Sequence, residues 1–236
     1  MPAQHARYGG VIATDTLHWS NADVEVHRLV VGPYENNVFV VRCRHTGDAV
    51  LIDAANEHEK LLDLCQKLGV RRVLETHGHW DHIQAVPALR EAGYDVAVTE
   101  ADAAMLPSYD STIDDDDVIE VGRLRLRSHH TPGHTPGHIA LFRRGDRVLI
   151  TGDALLTMDV NSPAGFVARE PRISPPPRFT SWEWPLVTRS LGRLARLQPT
   201  LIVSGHGVPM AGAGIADELA GLAERMRGRR SGSTAR

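Results

Sequence analysis

The 236-residue chain is poor in several residue types. It has two cysteines, Cys43 and Cys65, too few for a scaffold held by disulfides. Phe, Tyr and Trp number four each. No run of about 18 apolar residues occurs, so no membrane-spanning helix is expected. No apolar stretch follows Gln4, His5 and Arg7, so the start does not read as a secretory signal. With two thiols and no signal, a cytoplasmic location is expected. A net charge of −3 gives no basic field for nucleic acid. What is abundant instead is histidine, thirteen residues, more than any aromatic type.

Hydrophobic residues make up 42% and charged residues 23%, the balance of a folded globular chain. Apolar runs with β-branched residues predict strands at 24–31, 37–42, 50–52, 73–74, 96–98, 139–142, 147–151 and 201–203. A hairpin is expected over 118–127, turning at Gly122-Arg123. Helices are expected from an Asn56 cap to Leu68, over 82–92 and 100–105, from a Ser181 cap to Leu197, and over 216–226. Each half runs from strands into strand–helix alternation, and no Gly/Ser linker divides them. That pattern predicts one α/β domain over residues 1–228, two mixed β-sheets face to face with helices outside. Residues 229–236 read as a disordered basic tail.

The densest chemistry is Thr76-His77-Gly78-His79-Trp80-Asp81-His82, placed after an apolar strand. On a strand end His77 and His79 share a face, because side chains repeat every two residues. Asp81 and His82 follow where the chain turns into a helix. Two ligands can thus serve one metal and two a neighbouring metal. Imidazole with carboxylate suits zinc, and also iron or manganese. His134, in Thr131 to His138 with its two Pro-Gly turns, and Asp153 and His206, at strand ends, add three more ligand positions.

These motifs, in this order from Asp53 to His206, resemble the metallo-β-lactamase fold superfamily. The resemblance implies an αββα four-layer sandwich. It implies His77, His79 and His134 on one metal, Asp81, His82 and His206 on a second, and Asp153 bridging them. Asp81 would also orient the attacking hydroxide as a catalytic residue, and Asp53 would order the ligand loop. His138, His129 and His130 would support the site or the fold rather than bind metal. Two divalent ions sharing a water bring its pKa from 15.7 toward ~7, so hydroxide attack needs no Ser, Cys or Lys nucleophile.

His79 stands where flavodiiron relatives carry Glu, and Asp153 where many β-lactamases carry Cys. That leans toward the glyoxalase II-like and lactonase-like branches and toward an ester-like bond, a thioester or a lactone. Neither branch is complete. The Gly-Arg element of glutathione thioesterases does not follow Asp153, and Leu156 stands where acyl-homoserine lactonases carry Tyr. A mononuclear iron persulfide dioxygenase using His77, His134 and Asp153 is the main rival; a nuclease of the fold fits the acidic charge poorly. Substrate selection is expected from the Pro- and Arg-rich segment 158–184, with Arg169, Arg172, Arg178, Phe166, Phe179, Trp182 and Trp184. The expected partner is a small-molecule substrate, without nucleic acid or membrane, and a homodimer is compatible with the sequence. Asp114 to Asp117 reads as a solvated acidic loop.

Overall fold

Strand β3 (Asn36–Cys43) shows how the sequence builds the layers. Val38 and Val40 pack toward helices on one side, and Phe39 and Val41 toward a second sheet on the other. A strand covered on both faces must be apolar at nearly every position, which is why its run is continuous. The computed structural model describes residues 13–160 and 171–231. Its first sheet runs in chain order: β1 (Leu17–Ser20), β2 (Val24–Val31), β3, β4 (Ala49–Ile52), β5 (Val70–Leu74), β6 (Asp95–Val98) and β7 (Ser111–Thr112). β1 to β4 pair antiparallel and β4 to β7 parallel.

The second sheet holds β8 (Val118–Val121), β9 (Leu124–His130), β10 (Ile139–Arg143), β11 (Val148–Ile150), β12 (Leu201–Val203) and β13 (Met210–Ala211). Its order is β13-β12-β11-β10-β9-β8, with β11 and β12 parallel. A short α1 (Ala13–Thr16) precedes β1. Helices α2 (His58–Leu68) and α4 (Val86–Glu91) pack their apolar residues on the first sheet. Helices α6 (Trp184–Ala195) and α7 (Ile215–Ser231) pack on the second. The short α3 (Trp80–Ile83) and α5 (Glu100–Ala103) lie between strands of the first half. Two mixed sheets back to back, with helices outside, are the four layers expected.

Several boundaries differ from the sequence reading, each for a local reason. The helix expected over 82–92 is two helices. The N–H groups of Gln84 and Ala85 donate to Ala55 O (3.0 Å) and Ala54 O (2.9 Å), and Pro87 opens α4. Asn56 does not cap α2. Its side chain accepts from the adjacent Glu57 N–H, and Glu57, at φ 52°, is the cap residue. Ser181 does not cap α6, because its hydroxyl donates to Pro177 O beside a 3₁₀ turn over Arg178–Thr180; Glu183 precedes the helix instead. Helix α7 continues to Ser231, so the first residues of the expected tail remain helical, while 232–236 lie outside the described residues. The acidic run is more than a solvated loop: Asp115 accepts from Arg193 (2.7 and 2.8 Å) and from His130 N–H (2.8 Å). Among the described residues no helix is long and apolar enough to cross a membrane.

The parallel pairs β4/β5 and β11/β12 end at the same edge of the sandwich, where β10 begins. Asp53 follows β4, residues 75–79 follow β5, the 131–138 loop leads into β10, Asp153 follows β11 and His206 follows β12.

Candidate metal centre

The segments after β5, before β10 and after β11 and β12, with α3 carrying Asp81 and His82, bring seven side chains together. The ligand atoms of His77, His79 and His134 lie within 4.8 Å of one another, and so do those of Asp81, His82 and His206. His79 Nδ1 is 2.9 Å from His134 Nε2. Asp153 touches both groups. Its Oδ2 is 3.6 Å from His134 Nε2, 3.6 Å from His82 Nε2 and 3.5 Å from His206 Nε2. Asp81 Oδ2 lies 3.5 Å from His206 Nε2 and accepts from Asn36 Nδ2 at 3.0 Å.

Three of the imidazoles are turned by a hydrogen bond on the other nitrogen. His82 Nδ1 donates to Asp53 Oδ2 (3.1 Å), and His206 Nδ1 donates to Tyr34 O (3.1 Å). His77 Nδ1 meets Thr76 Oγ1 at 3.0 Å, and that hydroxyl donates onward to Asp53 Oδ2 at 2.9 Å. Asp53 also accepts from Thr76 N–H at 2.7 Å. Such partners fix the tautomer and leave the Nε2 lone pair aimed at the site. Asp53 has φ 62°, the left-handed region that Asp tolerates better than most residues. It therefore orders the ligand loop, as the resemblance implied.

The charges are set by burial and by one another. Burial pulls His77 well below the ordinary imidazole range and His134 down to about 4, so both offer lone pairs at neutral pH. Burial also lowers His79, with the Asp153 carboxylate pulling the other way. In His82 and His206 burial is outweighed, by Asp153 and Asp53 for the first and by Asp153 and Asp81 for the second, so both are raised. Burial would raise Asp81 and Asp153, but the histidines around them hold both carboxyls below the usual range, so both are ionised.

Among the described residues, three buried atoms here have no hydrogen-bond partner: His77 Nε2, His82 Nε2 and Asp153 Oδ1. Unsatisfied buried groups are rare, and these three belong to one cluster of imidazole and carboxylate donors. The residues fit divalent metal ions. Loading metal to about a thousand times its Kd is expected to add ~4.1 kcal/mol of stability. That is a rise of roughly 8–16 °C in Tm for a chain of this size, readable by calorimetry with and without chelator.

Some residues that serve the site carry no sequence signal strong enough to single them out. Asp102, on α5, is fully buried and accepts from Gly78 N–H (3.1 Å), Thr135 Oγ1 (2.5 Å) and Gly137 N–H (2.6 Å). It joins the His77–His79 loop to the His134–His138 loop. Asn36 orients Asp81, and Glu75 accepts from Ala54 N–H (3.0 Å) beside Asp53. Burial and the Asp53 charge push the Glu75 carboxyl well up, so it is neutral. His138, expected to support rather than ligate, accepts from Asp153 N–H (3.0 Å) and stacks on His77 with centroids 5.0 Å apart. Asp102→Asn places an amide N–H₂ where two N–H groups and a hydroxyl already donate. The expected loss is about 2–3 kcal/mol of stability and roughly 10–100-fold in metal affinity, measured by denaturant titration and by chelator competition.

His130 Nε2 bonds Pro136 O (3.0 Å), bracing the ligand loop, whereas His129 lies on the outer face of the second sheet. Of the selectivity segment, Trp182 N–H donates to His134 O (3.0 Å), and the Arg178 guanidinium lies 5.5 Å from the Trp184 ring centroid. Arg172 pairs with Asp159 (3.5 Å). Phe166 and Arg169 lie outside the described residues.

The model of the metallo-β-lactamase superfamily matches residues 31–206. The chain belongs to this superfamily. It is 33% identical over 137 residues to a hydroxyacylglutathione hydrolase of Rhodospirillum rubrum, covering 57% of this chain and 53% of that protein. It is 32% identical over 176 residues to a hydroxyacylglutathione hydrolase of Cereibacter sphaeroides, covering 73% of this chain and 62% of that protein. The chain thus spans less than two thirds of these relatives' length. A protein solved in a di-iron-bound form superposes with a TM-score of 0.62 at 26% identity, covering 85% of this chain and 98% of that one.

Proposed function

We propose that this superfamily member is a metal-dependent hydrolase that cleaves an ester-like bond of a small molecule, a thioester before a lactone. It would use two divalent ions, zinc first and iron or manganese otherwise. The observation that carries the reading is Asp153, whose Oδ2 lies 3.5–3.6 Å from ligand nitrogens of both triads. A carboxylate placed in this way suits two ions about 3.5–4 Å apart.

His77, His79 and His134 would hold one ion, Asp81, His82 and His206 the other, with Asp153 between them. When bound, such ions make hydroxide available near neutral pH and polarise a carbonyl oxygen. The chain's own residues do the rest. Asp81, ionised and fixed by Asn36, is placed to hold a proton of the attacking water. Asp53 and Thr76 keep His77 and His82 in the tautomers that present Nε2. At the surface beside the ligands, Trp80 stands edge-on to Tyr34, with ring centroids 5.3 Å apart. Trp182 is also exposed, and its N–H holds His134 O. These aromatics supply an apolar wall for an acyl group.

Leu156 favours the thioester. It is buried and paired with Ser174, so a phenol from this position is missing. The relatives named hydroxyacylglutathione hydrolase point the same way. The test is a panel of glutathione thioesters, lactones, phosphodiesters and β-lactams, run with zinc, manganese and iron reconstitution. Thioesters are expected to give the highest kcat/KM, with about two metals per chain. Full hydrolysis by the metal-stripped protein would overturn the reading. So would one iron per chain with oxygen consumption on a persulfide.

A further inference from the structure

A cavity of about 660 Å³ opens on the outer face of the second sheet. Along β9 the side chains alternate: Leu124, Leu126 and Ser128 are buried between the sheets, while Arg125, Arg127 and His129 face outward. Phe142 of β10 stands opposite Arg127. Helices α6 and α7 cover the outer face at β10 to β12. The corner at β8 and β9 forms the cavity, where Arg144 and Arg147 of the β10–β11 turn and Arg196 after α6 join the rim.

Two properties make this corner a site. The first is unbalanced positive charge. Arg125, Arg144, Arg147 and Arg196 are exposed, and their guanidinium groups have no hydrogen bond or ion pair among the described residues. Glu120 is the cross-strand partner of Arg125 but forms no ion pair with it, and only Arg127 has an acid in reach, Asp116 at 3.8 Å. Guanidinium forks around one concave space match the oxygens of a phosphate. The second is His129. It is 7% exposed, and both its ring nitrogens are buried without a hydrogen-bond partner among the described residues. Its nearest acid is Asp116 Oδ1, 4.0 Å from Nδ1. Burial and the nearby Arg193 charge keep the ring neutral, with one N–H to donate.

A cation does not suit this corner, although Asp115, Asp116 and His129 lie close together. Arg193 holds Asp115 through two hydrogen bonds, and both Arg127 and Arg193 lie 3.8 Å from Asp116. The negative end of α6 is blunted too, since the N–H groups of Arg196, Leu197 and Gln198 bond Arg193 O, Leu194 O and Ala195 O. Phe142, Val118 and Leu197 give the cavity an apolar side. The Arg144–Arg147 turn sits at the end of β10 and β11 away from the loops that carry His134 and Asp153, so this is not the metal centre's own mouth.

We propose that the cavity binds a small phosphorylated molecule, a phosphate ester with an apolar or aromatic group. The charged forks would take the phosphate, and Phe142 would receive the organic part. The test uses the full metal-loaded chain and isothermal calorimetry, with ADP as the probe and pyrophosphate and a short single-stranded RNA beside it. The triple variant Arg125→Ala, Arg147→Ala, Arg196→Ala changes only exposed side chains and keeps basal hydrolysis as a control of folding. ADP is expected to bind at least tenfold more weakly to the triple variant. Its affinity for the parent chain should survive chelation of the metals and exceed that of pyrophosphate. Equal affinity in the parent and triple variant, or binding lost on chelation, would overturn the site. Pyrophosphate equal to ADP would remove the organic half of the ligand, and RNA tighter than ADP would replace the small molecule by a nucleic-acid surface.

Discussion

His79→Ala is expected to lower kcat/KM by at least about 10³-fold, some 4 kcal/mol of lost transition-state stabilisation, while leaving the fold in place. The two halves of this expectation come from different atoms. The imidazole is half-buried, and its one side-chain hydrogen-bond contact is Nδ1 with His134 Nε2 at 2.9 Å. The backbone of His79 does the structural work, its carbonyl accepting from His82 N–H at 2.9 Å to start α3. Its side chain caps nothing. Alanine keeps that backbone, so metal-free variant and parent should unfold within roughly 0.5 kcal/mol of each other, as surface truncations do. Metal content by elemental analysis should fall from about two per chain to one or fewer. A variant with parental turnover would remove the ligand assignment.

Gly205→Ala should also lower activity and should add a loss of stability. A methyl group on Gly205 would sit 2.2 Å from Asp153 Oδ1 and 2.7 Å from His82 Cε1. The backbone cannot retreat. Gly205 N–H donates to Gly152 O (2.9 Å), and Gly205 O accepts from Asn37 N–H (2.7 Å). Asp153 must therefore move, and it is the one carboxylate in reach of both triads. Kinetics and metal content should fall together, with kcat/KM down about 10²-fold or more, since a 1 Å misplacement near the chemistry can cost that much. Overpacking should cost about 1–3 kcal/mol in denaturant unfolding. Gly205→Ala with normal activity and normal metal content would mean that Asp153 is not held where the geometry requires it.

How far the sequence could be read follows from the range of each interaction. The apolar runs of β3, β4, β6 and β10 to β12 declare themselves because burial on both faces demands near-continuous hydrophobicity, and β2 and β9 by alternation of buried and more exposed residues. The short strands β1, β7 and β13 escape notice because two to four residues hold no periodicity, and they form by pairing with a neighbour already present. The break between α3 and α4 is hidden for a related reason. Gln84 and Ala85 give their N–H groups to residues 54 and 55, about thirty positions away, and no local pattern records such a bond. At the site, His77, His79, Asp81 and His82 crowd into one motif, while His134 sits in a Pro-Gly loop and Asp153 and His206 follow strands. Asp102 and Asn36 lie in ordinary surroundings and have a role only through what folding puts beside them.

The family, the layered α/β architecture and the chemical nature of the site are legible in the chain alone, because they rest on local hydrophobic patterning and on His and Asp residues at fixed spacing. Tertiary structure decided how the ligands are held: that Asp153 lies within reach of both triads, that Asp102 joins two loops, that Asn36 fixes Asp81 and that Gly205 leaves room for them. It also separated the thirteen histidines into roles, placing His129 on the far face of a sheet, away from the centre that His134 helps to form. Composition could only count them. Hydrogen bonds and carboxylate contacts act over about 3–4 Å between residues tens of positions apart, and only the closed fold sets those distances.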